Sequence, residues 1–363
     1  MREELAAFSI AFMASAITVS IPYILLSFKG IPIGNRVPAE RIALELGVVN
    51  TSFMISRTLA SWWGGRPKEG SVLMILGTLG VIVSWNTPSL ALSRALQGLG
   101  SGLIWPSLEM GAAKRGTRGL VSLNASSNLG FSIGSIFAGA VLSWPKEPVI
   151  LVFPLTVIPF FVKTNKVKGN VSAKGRKVLR LLYVVAFING LALGMRGPIF
   201  SAYVLQYVSA SPIVFSSIGG IPGLVTLIVS LLVANRIDLM SVSKKLHLSS
   251  LLKAMQSMIL IIIAFVRDPL AIIALLTLGR LSAVLSVSAS KAAQAQLSSG
   301  TREFGRRQSL FGLGNAVGPL IGGALYKYTE ATGIPGSYDL IVVALLGLLS
   351  SFLLWKASSV SKG

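Results

Sequence analysis

The chain is 363 residues long, with 53% hydrophobic and only 12% charged positions, against roughly 25% charged for a soluble domain. A mean hydropathy of +0.74 excludes an ordinary soluble fold and points to a polytopic membrane protein. The net charge of +21 lies in short loops without interleaved aromatics, so it reads as topology determinants on anionic lipid headgroups and not as a nucleic-acid surface.

A bilayer core of about 30 Å needs about 20 apolar residues per helix, and open strands are excluded in lipid. Twelve helical spans follow in order, over 5–27, 41–63, 70–85, 89–112, 119–143, 148–163, 179–208, 212–234, 246–266, 269–292, 305–327 and 337–356. The first continues to a full crossing, so it reads as a span and not as a cleavable leader. The third and sixth are short for a crossing.

With the N-terminus cytoplasmic, the inner segments hold 21 basic residues and the outer segments 6. This is the asymmetry of the positive-inside rule, and it places both termini in the cytoplasm, with the plasma membrane as the expected location. Trp62, Trp63, Trp85, Trp144 and Trp355 fall at span ends, where amphipathic rings favour the headgroup level. Trp105 lies within a span.

The basic break "KTNKVKGNVSAKGRK" between the sixth and seventh spans divides the chain into an N-terminal bundle over 1–163, a linker over 164–178 and a C-terminal bundle over 179–363. The halves repeat. Arg94 in "ALSRALQGL" and Arg280 in "LTLGRLSAV" are offset by 186, and Gly130, Gly134 and Gly139 precede Gly314, Gly318 and Gly323 by 184. A parallel duplication of six-helix units is the plan of a two-lobed secondary transporter with its site near the midplane.

On these residues the chain resembles the major facilitator superfamily over nearly its whole length. "LALSRALQGLGSG" is similar to the family's pattern of arginine, glutamine-glycine and spaced small residues. "TRGLVSLNASSNLGFSIG" resembles its Arg-Gly start to the fifth helix. "ASWWGGRPKEG" stands where the family has a gating loop and keeps Arg66 and Lys68 without the aspartate; its counterpart "LVANRIDLM" keeps Arg236 and Asp238 in altered order. The exporter signature is altered in the fifth span, while "GPLIGG" stands in the eleventh. The resemblance implies an all-α membrane fold of two six-helix bundles, alternating access around a central cavity, and no enzymatic activity.

Gly98 and Gly102, Gly130 and Gly134, and Gly314, Gly318 and Gly322 recur every four residues, which puts small residues on one face for close helix packing. Pro106, Pro198, Pro222 and Pro319 fall within spans as candidate kinks.

Ionisable side chains in mid-membrane cost at least about 2.5 to 3.5 kcal/mol each, so they mark cavities or internal pairs. The inventory is Arg57, Arg94, Arg196, Lys253, Arg280 and Lys291 against Glu45 and Glu109. Arg94, Gln97, Trp105 and Glu109 share one helical stripe; Asn189, Arg196 and Tyr203 share another, and Asn124 and Asn128 a third. These residues with Arg280 are the candidate cavity lining. Arg94 and Arg280 read equally as struts or as ligands, while Arg57, Lys253, Lys291 and Glu109 lie toward cytoplasmic ends, where side chains snorkel. Glu45 reads as a surface residue near the outer face.

A cation-rich interior favours an organic anion, or a zwitterion with a carboxylate or phosphate. The family resemblance also implies drug-exporting and general metabolite branches. Glu109 is the candidate for proton coupling. The remaining readings are a passive facilitator or channel and a non-transporting receptor. With no cysteine, one histidine and no clustered His/Asp/Glu set, no metal, cofactor or catalytic site is expected. The expected partners are a small-molecule substrate, protons and anionic lipid, with the chain a monomer.

Overall fold

The computed structural model describes residues 2–33, 40–62, 66–113, 116–162, 175–297 and 301–361. The side chains of Arg236 and Asp238 lie outside the described residues, as does most of the basic linker. The first half holds α1 (Arg2–Ser27), α2 (Glu40–Trp62), α3 (Pro67–Val83), α4 (Thr87–Ala113), α5 (Gly116–Val141) and α6 (Glu147–Val152). The second holds α7 (Arg176–Tyr203), α8 (Pro212–Asp238), α9 (Val242–Ile263), α10 (Pro269–Leu297), α11 (Thr301–Ala331) and α12 (Asp339–Val360). No strand occurs among the described residues. The fold is all-α with twelve spans, as hydrocarbon demands when every backbone group must bond within its own segment.

Local chemistry sets the ends. Asn86 and Ser89 cap α4 reciprocally, with Ser89 N donating to Asn86 Oδ1 at 2.9 Å and Asn86 N to Ser89 Oγ at 3.3 Å, which satisfies amides that have no helical partner. The chain leaves α1 through Gly30 (φ 70°) and α11 through Gly333 (φ 80°). After each, a six-to-one bond closes the turn, Ile31 N to Leu26 O at 3.1 Å and Ile334 N to Thr329 O at 3.2 Å, the geometry for which glycine is preferred.

The short sixth span is explained by proline. Pro148, Pro154 and Pro159 deny backbone donors to a regular helix, and α6 gives way to a 3-10 helix over Phe153–Phe161. Six residues at about 1.5 Å and nine at about 2.0 Å reach about 27 Å, close to the hydrocarbon thickness. The tighter coil is therefore also the longer one.

Packing repeats with a shift of six helices. α1 lies on α5 as α7 lies on α11; α2 on α4 as α8 on α10; α3 on α4 as α9 on α10. The two lobes join chiefly through α2 on α11 and α5 on α8, themselves exchanged by the same shift.

Glycine makes the intra-lobe pairs close. A Cβ at Gly130 or Gly134 would stand 2.3 Å from Phe8 O or Phe12 O of α1, and one at Gly314, Gly318 or Gly322 would stand 2.2 to 2.6 Å from Phe187 O, Leu191 O or Met195 O of α7. Gly98 and Gly102 of α4 meet Phe53 O and Arg57 O of α2 in the same way, at 2.2 and 2.3 Å. In each case the four-residue step is matched by a four-residue step of carbonyls, so two backbones lie in contact along a turn-by-turn seam.

Serine joins α9 to its neighbours. Ser250 and Ser351 donate to each other's carbonyls at 2.8 Å, Ser243 and Ser358 do so at 3.2 and 2.9 Å, and Ser249 and Ser286 at 2.8 and 2.7 Å. Ser243, Ser250 and Ser257 are seven apart, and a Cβ on Gly347 of α12 would meet Ser257 Oγ at 2.2 Å.

Among the described residues, and on length and composition alone, five helical stretches are long and apolar enough to cross a bilayer: Glu3–Ser27, Arg176–Val208, Val242–Ile263, Pro269–Gln294 and Gly336–Val360. Leu92, Leu270 and Phe265 are exposed, as are Trp85, Trp144 and Trp355 near helix ends, the pattern of a lipid-facing surface.

Candidate functional site

Arg94 is enclosed within its own lobe. Its guanidinium lies 4.3 Å from the centroid of the Phe53 ring on α2, and its Nη1 donates to Gln97 Oε1 at 2.6 Å. Gln97 Nε2 continues to Thr78 Oγ1 on α3 at 2.9 Å, and Thr78 returns its proton to Met74 O at 2.8 Å. Arg94 is 3% exposed and Gln97 2%. One arginine thereby ties α2, α3 and α4 together, and its Nε has no partner among the described residues.

Arg280 stands at the lobe junction. Its Nη1 donates to Gly219 O of α8 at 2.9 Å, and its guanidinium lies 5.6 Å from the Phe131 ring of α5 in the opposite lobe. The small residue opposite it matters: a Cβ on Gly223 would meet Arg280 Nη1 at 3.0 Å and Ser132 Oγ at 1.9 Å. Ser132 Oγ is buried without a partner among the described residues.

Arg196 lies in the field of both Arg280 and Lys253. Its guanidinium sits 5.7 Å from the Phe200 ring on its own helix, and a Cβ at neighbouring Gly197 would meet nothing within 4 Å. Two turns away on α7, Asn189 Oδ1 is buried and unpartnered among the described residues. Lys253 was expected at a cytoplasmic end. It instead stands in the middle of α9, half-buried, with Nζ on Gln256 Oε1 at 3.0 Å. Three cations of one lobe thus lie near the middle of α7, α9 and α10.

A second cluster lies toward the face that carries the termini. Trp105 Nε1 donates to Glu109 Oε1 at 3.0 Å, and Arg57 lies 5.5 Å from the Trp105 centroid. Glu109 is in the field of Arg57 and, across the lobes, of Lys291. Arg307 of α11 holds Gln294 Oε1 at 2.8 Å and Ser290 Oγ at 2.7 Å beside this group.

Other residues fall elsewhere. Tyr203 is 1% exposed and gives its hydroxyl to Ile263 O at 3.2 Å and to Val266 O, bracing α7 against the end of α9 and its following turn. Asn124 is exposed and Asn128 half-buried on α5, and neither has a hydrogen bond among the described residues. Glu45 pairs with Lys29 at 2.7 Å. Arg66 and Lys68 are exposed at the start of α3, where Arg66 N donates to Leu103 O at 3.3 Å. Phe53, Phe131, Thr78 and Ser132 were not singled out by sequence reasoning. They look like ordinary packing residues until the arginines opposite them are placed.

At the face away from the termini the lobes touch directly. Tyr23 Oη donates to Ala210 O at 3.4 Å, Ser135 Oγ donates to Ser216 O at 3.0 Å, and Gly47 and Gly323 let α2 and α11 approach. A cavity of about 570 Å³ lined by Ile33, Leu142, Ser143 and residues 209–212 opens beside this seam.

No family model matches the sequence, and no curated protein does. Solved structures match its fold end to end. A POT family transporter in complex with 5-aminolevulinic acid aligns at TM-score 0.71 and 14% identity, over 100% of this chain and 96% of that one. The human organic anion transporter MFSD10 (TETRAN) aligns at TM-score 0.65 and 16% identity, over 97% and 98%. A bacterial metal transporter aligns at 0.63 and 16%, over 99% of each chain. The chain therefore has the twelve-helix, two-lobed fold of the major facilitator transporters.

Proposed function

We propose that the protein is a secondary transporter that carries a small organic anion by alternating access between its two lobes. The observation that carries this reading is the presence of three cations near the middle of α7, α9 and α10, with Arg280 at the lobe junction against Phe131. Fixed cations in a low-dielectric cavity raise the local concentration of anions and repel cations. The likeness of fold to solved transporters supports movement across the membrane, and the duplicated packing supports rocking of one rigid lobe on the other.

In this reading the termini are cytoplasmic, and the contacts of Tyr23 with Ala210 and of Ser135 with Ser216 close the outer side. Glu109, between Trp105, Arg57 and Lys291, is the carboxylate placed to carry a proton. The chain works as a monomer in the plasma membrane with anionic lipid around its basic loops.

A thermal-shift screen of the purified protein against anionic metabolites and lipophilic drugs tests the substrate class, since a ligand that binds the folded state raises its apparent stability. Anions are expected to give the shifts. A panel in which only cationic drugs stabilised the protein would overturn the reading.

A further inference from the structure

We propose that the cationic site of the C-terminal lobe takes an organic dianion, either a phosphate monoester or a dicarboxylate, in preference to a monoanion. The inference rests on the transport reading for its biological use. Its chemistry is argued from the side chains alone.

Arg280 stands at the lobe junction on Gly219 O and beside Phe131, Arg196 lies beside Phe200 near the middle of its span, and Lys253 lies in the middle of α9; Arg196 is within electrostatic range of the other two. Among the described residues no carboxylate forms an ion pair with any of the three, and the interactions of Glu109 are with Trp105, Arg57 and Lys291. Three like charges held together away from water repel one another. A monoanion leaves two of them unanswered, whereas a dianion leaves one.

The donors are also arranged for more than one pair of oxygens. Arg280 spends Nη1 on Gly219 O, which fixes the guanidinium plane and leaves further N–H groups for a forked contact with a carboxylate or phosphate. Arg196 has no hydrogen bond among the described residues, so its whole fork is available. Lys253, steadied by Gln256, adds a point charge of the kind that accompanies phosphate-binding arginines. Ser132 Oγ is buried and unpartnered beside Gly223, which also flanks Arg280. A hydroxyl in that position donates to a further anionic oxygen. The Phe131 ring offers an aromatic face to an organic body next to Arg280.

The test is calorimetric titration of the purified full-length protein with benzoate, phthalate and phenyl phosphate, at about pH 7, where the phosphate ester is mostly doubly ionised and the amine of Lys253 still carries its proton. The three probes share one ring and differ in charge. At least one dianion is expected to bind about tenfold tighter than benzoate, the worth of one charge-assisted hydrogen bond. Preference for both dianions assigns selectivity to charge; preference for phenyl phosphate alone assigns a phosphate monoester; preference for phthalate alone assigns a dicarboxylate. Benzoate binding as tightly as both dianions overturns the proposal.

Arg280→Gln and Arg196→Gln are each expected to shrink the preference to about twofold, while Arg280→Lys keeps part of it and Arg267→Gln, in the turn between α9 and α10 beside the Tyr207 ring at 5.2 Å, keeps all of it. Unchanged preference in both glutamine variants, with elution as a single folded species, overturns the siting. The two readings fail separately. Dianion preference without flux in liposomes removes the transport reading and leaves the site; flux of benzoate without dianion preference does the reverse.

Discussion

Arg94 and Arg280 occupy equivalent places on α4 and α10, yet only Arg280 reaches the other lobe. Arg94 is closed in by Phe53, Gln97 and Thr78, whereas Arg280 faces Phe131 across the junction. Two residues at equivalent positions thus have different surroundings. The first is enclosed by its own lobe, and the second stands at the junction between the lobes.

The bracing role of Arg94 has a direct consequence. Arg94→Gln removes a buried charge-assisted bond and is expected to destabilise the protein by about 1.5–3 kcal/mol, while the folded fraction keeps its ligand affinity. Equilibrium unfolding in detergent, paired with titration of the folded pool, measures both. Lost affinity at unchanged stability would make Arg94 a ligand instead.

Glycine seams and glycine openings separate cleanly. Gly134→Ala sets a Cβ against Phe12 O and Gly318→Ala sets one against Leu191 O, so each is expected to cost about 1–3 kcal/mol through overpacking. Gly197→Ala meets open space and is expected to be neutral, or to gain up to about 1 kcal/mol from helix propensity. Thermal unfolding of the three variants checks the order, and a seam variant as stable as Gly197→Ala would show that α1 and α5, or α7 and α11, are less closely packed than described.

The serine clasp between α9 and α12 lends itself to a double-mutant cycle. Hydrogen bonds between membrane helices average about 0.6 kcal/mol and reach about 1.7. Ser250→Ala and Ser351→Ala are each expected to cost within that range, and the double variant less than their sum: each single variant leaves the other hydroxyl its backbone acceptor, but both lose the same contact between the two hydroxyls at 3.1 Å. Strict additivity would mean that the two hydroxyls do not act on each other.

Glu109→Gln addresses coupling. The amide keeps the hydrogen bond from Trp105 but cannot titrate, so uptake driven by a pH gradient is expected to fall by at least about tenfold while exchange of substrate for substrate continues. Flux measurements under each driving force in proteoliposomes decide it. Unchanged pH-driven uptake would exclude Glu109 as the proton carrier.

Much of the architecture was legible in the sequence because membrane insertion is governed by composition. Twelve apolar stretches, the repeat of Arg94 in Arg280 and the four-residue glycine steps are local patterns. What they could not reveal is which helix each pattern meets. Gly130 and Gly134 announced a close neighbour, but that it is Phe8 and Phe12 of α1 depends on tertiary packing. Tyr203 shares its helical face with Arg196 by arithmetic, but a π-helical turn over Val204–Val208 follows it, and its hydroxyl is taken by backbone carbonyls of Ile263 and Val266. Lys253 looked able to reach the surface because its distance from the span end was short; its amine instead donates to Gln256 one turn along α9. The 3-10 course of the sixth span follows from prolines that were visible, although their combined effect on helix pitch was not.

The measurement that bears most directly on the account is counterflow in proteoliposomes. Vesicles preloaded with an unlabelled organic anion that stabilises the protein are diluted into trace labelled anion. The account predicts transient, saturable accumulation of label by the wild type and its loss in Arg280→Gln. Uptake that never rises above equilibrium and does not saturate, or accumulation undiminished in Arg280→Gln, would contradict it.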